Sequence, residues 1–221
     1  CLIMAAKYLP ETLARPGEAL EFMRVLKGYG RLLRHRRFMG YALSGGIAQA
    51  SLFAYIAVSS FVFIDFYALS PTQYGLLFGV NAFGLILGSQ INNWMLTRYR
   101  AERVLRSALI AYSSFGVVLA LVVITGLGGL PGVLIPLWCC IASLGFTFPN
   151  STAAAMAPFG DRAGMAAALL GTLQYGLAAI ASGVVASLHD GTALAMALAI
   201  AACGLISVIV LRVLTGKLAP F

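Results

Sequence analysis

Leu144-Gly-Phe-Thr-Phe-Pro-Asn-Ser-Thr-Ala-Ala-Ala-Met156 runs through the fourth of six long apolar segments and breaks it with a proline, an amide and two hydroxyls. Pro149 has no N–H, so the Gly145 carbonyl loses its helical partner, and the ring bends the helix there. In lipid, a freed carbonyl and the Asn150 amide are costly unless protein or a water-filled cavity receives them. The Pro149/Asn150 side of this helix is therefore expected to turn inward, either as a packing kink or as the lining of a cavity.

The rest of the chain has the composition of a polytopic membrane protein. Of 221 residues, 61% are hydrophobic and 10% charged, with a mean hydropathy of +0.92; soluble domains are roughly half apolar and a quarter charged. The net charge of +8 does not point to nucleic acid, because the basic residues cluster between apolar segments, where they read as loop charge. Cys1, Cys139, Cys140 and Cys203 all fall in apolar segments and are expected to be free buried thiols rather than a disulfide framework.

Residues 1–13 read as the end of a preceding transmembrane helix, so the chain is expected to be part of a longer protein. Residues 14–37 form a basic loop in which Leu20, Met23 and Leu26 recur at helical spacing among Glu18, Glu21, Arg24 and Lys27, the pattern of a short amphipathic helix on the membrane surface. The bundle occupies 38–214, with spans near 38–64, 72–96, 105–127, 133–157, 164–188 and 193–214, and 215–221 is a tail. Arg31, Arg34, Arg36, Arg37, Arg98, Arg100, Arg103, Arg106, Arg162 and Lys217 all fall on one side, while the loops at 65–71, 128–132 and 189–192 carry no Lys or Arg. The positive-inside rule places both ends of the bundle in the cytoplasm. Gly75/Gly79 and Gly84/Gly88 are small-residue pairs that permit close helix approach.

The polar residues near mid-span are unevenly shared. The first span has Gln49, the second Asn81 and Gln90, the fourth Asn150, and the fifth Gln174 and Tyr175; the third has only Ser113 and Ser114 and the sixth only Cys203. Buried amides face bundle interiors, so spans one, two, four and five are expected to surround a polar space, with three and six outside. That period of three suggests two three-helix repeats, a transporter device; interhelical hydrogen bonding in a passive bundle is the alternative. No Asp, Glu, Lys, Arg or His falls deep in a span. His35 and His189 lie on opposite sides of the membrane, so no metal site or cofactor is expected. No nucleophile has a base beside it. Gly126-Leu-Gly-Gly129 lacks a P-loop lysine. An enzyme is not indicated.

Leu9-Pro-Glu-Thr-Leu13, followed by a basic loop and six spans, resembles the centre and C-terminal half of a major facilitator superfamily transporter. Ser70-Pro-Thr-Gln-Tyr-Gly-Leu-Leu-Phe-Gly-Val-Asn-Ala-Phe-Gly-Leu-Ile-Leu-Gly-Ser89, Phe148-Pro-Asn-Ser-Thr-Ala-Ala-Ala-Met156 and Ala163-Gly-Met-Ala-Ala-Ala-Leu-Leu-Gly-Thr-Leu-Gln-Tyr175 resemble the eighth, tenth and eleventh helices of the bicyclomycin-resistance (Bcr/CflA) exporters. The resemblance implies an all-α fold, a six-transmembrane-helix bundle built as two inverted three-helix repeats, forming the C-terminal half of a twelve-helix protein. It also implies a bacterial inner-membrane antiporter that exchanges protons for small drugs, with substrate held between this half and a missing N-terminal half. Gly88 matches the superfamily's Gly-x-x-x-Asp-Arg motif, but Asn92 and Asn93 stand at the charged positions, which puts a charged latch there in doubt. Asp161-Arg162 resembles the turn before the eleventh helix, and Asp161 equally suits a helix cap.

Gln49, Phe53, Phe78, Asn81, Phe146, Asn150, Gln174 and Tyr175 are the expected cavity-lining set, with Gly88, Pro149, Asp161 and Arg162 in conformational roles. Aromatics beside single amides suit a small amphipathic molecule. A sugar or metabolite transporter, and a membrane assembly protein that transports nothing, are the alternative readings.

Overall fold

The computed structural model describes residues 22–188 and 191–216, with side chains from residue 26 onward except that of Asp161. The expected helix end at 1–13, the first part of the 14–37 loop, His189, Asp190, Lys217 and the Asp161 side chain lie outside the described residues. The described chain is helical: α1 (Phe22–Arg34), α2 (Arg36–Ser60) continued by a π-helical turn (Phe61–Phe66), α3 (Pro71–Leu96), α4 (Ala101–Thr125), α5 (Gly129–Met156), a 3₁₀ turn (Gly160–Arg162), α6 (Ala163–Ser187) and α7 (Leu194–Thr215). The pieces from α2 to α7 are 22 to 31 residues long and apolar enough to cross a membrane, since a core of about 30 Å needs about 20 helical residues.

Local chemistry sets the boundaries. Ser70 caps α3 reciprocally: the Ser70 N–H donates to Gln73 Oε1 (2.8 Å), the Gln73 N–H donates to Ser70 Oγ (3.3 Å), and Pro71 fills the first helical position. His35 Nδ1 accepts from the Phe38 N–H (3.1 Å) to start α2. The largest departures from the expected spans are four residues each: α4 begins at Ala101 rather than 105, and α5 begins at Gly129 rather than 133. Gly126, Gly128 and Gly129 hold φ of 68°, 72° and 53°, a left-handed run that turns one helix directly into the next. The glycine-rich stretch is thus a helix-hairpin turn. Between Arg31 and Met39, α1 leads into α2, and α1 packs Leu32 into the core while Leu26 stays exposed.

The packing order has an internal symmetry. α2 packs on α5, α6 and α7; α5 packs on α2, α3 and α4; α4 packs on α7. Exchanging α2, α3, α4 for α5, α6, α7 carries the α2–α6 contact onto α5–α3, and α4–α5 onto α7–α2, while α2–α5 and α4–α7 map onto themselves. Each repeat has three spans, an odd number, so the second repeat runs inverted. α2 and α5 form the centre. α4 and α7 back them, and α3 and α6 flank them without packing on each other.

This arrangement refines the expected in-in-out order. α4 and α7 do lie behind the central pair, but α3 and α6 are the most exposed spans: 17% of each apolar window is buried, against 50% in α2 and 44% in α5. Among the described residues, one face of each is left without a partner.

Small residues seat the centre. A Cβ on Gly145 would meet the Leu85 carbonyl oxygen and lie 2.7 Å from the Ser89 nitrogen, and one on Gly88 would meet the Ala142 carbonyl. The Gly84/Gly88 pair therefore carries the α3–α5 approach, reinforced by the Trp138 indole N–H donating to the Val80 carbonyl (3.1 Å). Gly75 and Gly79 have nothing within 4 Å among the described residues; the pair expected to pack there faces outward. Tyr112 is fully buried, and its hydroxyl donates to Ser51 Oγ and to the Ile200 carbonyl (3.2 Å), tying α4 to α2 and α7. Cys140 is buried, and Cys139 and Cys203 are half-buried; all three are free thiols.

Candidate substrate-facing surface

The open side of the bundle runs along α2 between α3 and α6. Gln49, Phe53 and Ile56 follow at spacings of four and three, so they share one helix face, and all three are only partly covered. The Phe53 ring meets that of Tyr175 on α6 edge-on, with centroids 6.2 Å apart. Tyr175 itself is 62% exposed. Gln174 backs onto Gly46, where a Cβ would lie 3.5 Å from its Cα. Gln49, Phe53, Gln174 and Tyr175 are thus brought together where α2 meets α6.

Phe78 and Asn81 belong to a second group, where α2 reaches α3. The Asn81 amide donates to the Tyr55 hydroxyl (3.0 Å), the Tyr55 ring stacks on Phe78 (6.3 Å), and Tyr74 bonds Ser59 Oγ (2.8 Å). Asn81 is buried and Phe78 half-open. Tyr55, Ser59 and Tyr74 were not in the expected set. A tyrosine midway along an apolar span was the available signal, since its hydroxyl needs a partner there.

Asn150 departs from the expected set. It is 1% exposed, and its amide donates to Asn92 Oδ1 (2.6 Å) and to the Phe146 carbonyl (2.8 Å). Asn92 is wholly buried, four residues before the end of α3, and Asn150 sits six before the end of α5. The pair therefore lies near the basic end, not at mid-span. Asn92 Nδ2 and Asn150 Oδ1 have no hydrogen-bond partners among the described residues. Pro149, the next residue back, is exposed. Neighbouring residues on a helix point about 100° apart, so the proline and the amide serve different faces, and the four amides do not meet in one space. Phe146 leans on Gly88, whose Cβ would lie 3.3 Å from its ring. Arg162 is exposed at the end of the 3₁₀ turn. Gln90 is exposed on α3.

The open side consequently offers aromatic faces and neutral amides. Among the described residues, no group of three His, Cys, Asp or Glu side chains stands close enough to hold a metal ion.

No model of a protein family matches the chain. It is 35% identical to the MFS-type transporter YdgK of Bacillus subtilis over 77% of its own length and 42% of that protein. It is 28% identical to a bicyclomycin resistance protein homolog of Haemophilus influenzae over 87% of its length and 48% of that protein, and 36% identical to the multidrug transporter MdfA of Edwardsiella piscicida over 45% of its length and 23% of that protein. The chain spans less than half the length of these curated relatives, which are transporters and not enzymes. Six membrane-capable helices among the described residues, in two exchanged repeats of three, give the chain the fold of about half of the major facilitator superfamily transporters that it is similar to.

Proposed function

We propose that the chain is the half of a proton-driven drug exporter that presents an aromatic, amide-bearing wall to the substrate path, the other half completing the path. The observation that carries this reading is the open α2–α6 seam, where Phe53 meets Tyr175 edge-on beside Gln49 and Gln174. Aromatic faces take up the apolar part of a small amphipathic molecule, and a neutral amide orients it without the desolvation cost of a buried charge. The names of the relatives support a bicyclomycin- or multidrug-type substrate. Proton relays in membranes are built from carboxylates, histidines and their partners. The sequence places none of these deep in a span, so the coupling group is assigned to the other half. The setting is a bacterial inner membrane, with the basic end in the cytoplasm.

The test is drug efflux in vesicles under an imposed proton gradient, with ethidium as the probe. The chain joined to its other half should transport, and the chain alone should not. Gln49→Ala and Tyr175→Ala should each raise KM by about 2- to 10-fold, the loss of one hydrogen bond or ring contact. Single cysteines at Gln49 and Phe53 should react with a water-soluble thiol reagent and be protected by ethidium. Unchanged kinetics in both alanine variants, or proton-coupled efflux by the chain alone, would refute the assignment.

A further inference from the structure

At the basic end, where α2 and α4 begin, two arginines pair with one carboxylate and a third stands one helical turn away. Glu102 Oε1 accepts from Arg37 (3.0 Å), and Glu102 Oε2 pairs with Arg100 Nε (3.6 Å). Arg106 stands one turn beyond Glu102 on the same helix face and is exposed. Both Glu102 oxygens are engaged, so three guanidiniums against one carboxylate leave two positive charges and several N–H donors unneutralised. Beneath them lies Tyr41, whose ring sits 5.9 Å from the Arg37 guanidinium carbon. Tyr41 is fully buried, and among the described residues its O–H has no acceptor to donate to. That hydroxyl lies within electrostatic reach of Arg37, Glu102 and Arg106.

From Arg106 an exposed stripe runs down α4 through Ile110, Val118 and Leu121, at spacings that keep one helix face. The polar residue within it, Ser114, turns its hydroxyl back onto the Ile110 carbonyl (2.9 Å). The stripe therefore presents hydrocarbon, and it begins where the arginines end. An unsatisfied cationic head above a continuous apolar track has the shape of a phospholipid.

We infer that Arg37, Arg100, Arg106 and the Tyr41 hydroxyl form a binding site for the phosphate of an anionic phospholipid whose acyl chain lies along the α4 stripe. Guanidinium groups match phosphate oxygens through paired N–H donors. The Tyr41 hydroxyl, turned toward the same charges, supplies a donor that the protein itself leaves unused. The location at the ends of two spans puts the site at headgroup depth, which favours a lipid over a soluble phosphate.

The test is lipid binding by the full purified chain, read by native mass spectrometry and by thermal unfolding in nanodiscs of phosphatidylglycerol or phosphatidylcholine. Wild type should retain phosphatidylglycerol and unfold at a higher temperature in it. Arg106→Gln should weaken phosphatidylglycerol retention about fivefold, the worth of one arginine at an anionic surface. Tyr41→Phe should weaken it up to about tenfold, the loss of one hydrogen bond to a charged group, without lowering stability in phosphatidylcholine. Arg212→Gln, an equal charge loss at the same end but outside the cluster, should leave retention unchanged. Equal losses in Arg106→Gln and Arg212→Gln would overturn the site in favour of diffuse charge attraction. Binding of glycerol phosphate as tight as that of phosphatidylglycerol would overturn the lipid assignment. Tyr41→Phe without effect on retention would remove the hydroxyl from it.

Discussion

Replacing Asn150 with leucine tests the buried amide pair that joins α3 to α5. In the native chain, Asn150 donates to Asn92 Oδ1 (2.6 Å) and to the Phe146 carbonyl (2.8 Å), while Asn92 Nδ2 and Asn150 Oδ1 stay unpaired among the described residues. Asn150→Leu leaves Asn92 with both amide atoms buried and unmatched. Hydrogen bonds between membrane helices average about 0.6 kcal/mol and reach about 1.7, and an orphaned buried group costs about 1–3; a loss of about 1–2 kcal/mol follows. Asn92→Leu removes the same inter-amide bond but also removes one of the two orphans, and Asn150 keeps its bond to Phe146. Its loss should stay below about 1 kcal/mol. The double leucine variant removes the bonds and both orphans together, and apolar groups of similar shape in place of both partners are nearly neutral, so it should unfold within about 0.5 kcal/mol of the native chain. The assay is reversible unfolding in detergent for all four proteins, read as a double-mutant cycle. The reasoning fails if the double variant loses the sum of the two singles, or if Asn92→Leu proves the more damaging substitution.

Three further outcomes follow from the packing. Gly145→Val should destabilise by about 1–3 kcal/mol or more, because its Cβ meets the Leu85 carbonyl and the Ser89 nitrogen (2.7 Å), backbone groups that cannot rotate away; Gly79→Ala, with nothing within 4 Å, should be neutral or gain up to about 1 kcal/mol from helix propensity. Thermal unfolding of the two variants side by side checks both. Tyr112→Phe should lower stability by about 1 kcal/mol through loss of the bonds to Ser51 and Ile200, and a loss below detection would show that packing alone holds α4. Reporter fusions at Arg100 and Gly128 should give opposite readings, with Arg100 cytoplasmic; a shared reading would break the alternation of spans.

Hydrophobic run length and turn chemistry were enough to locate the helices. Pro71–Leu96 and Leu194–Thr215 fall within a residue of the expected spans, because lipid thickness and capping residues act locally along the chain. The repeat of three was also legible, since the cost of burying an amide in lipid filters which spans carry one. The facing of each amide was not legible. Gln49, Asn81, Asn150 and Gln174 looked equivalent because composition reports depth only within several residues and says nothing of rotation about the helix axis. Asn150 found Asn92, 58 positions earlier, and Asn81 found Tyr55. Such partners depend on how α3 docks against its neighbours. That docking is decided by carbonyls meeting glycines: Gly88 on Ala142, Gly145 on Leu85. It turned Asn150 into a helix contact, left Pro149 exposed, and gathered Gln49, Phe53, Gln174 and Tyr175 at one seam, because only a packed interface fixes the rotation of each helix.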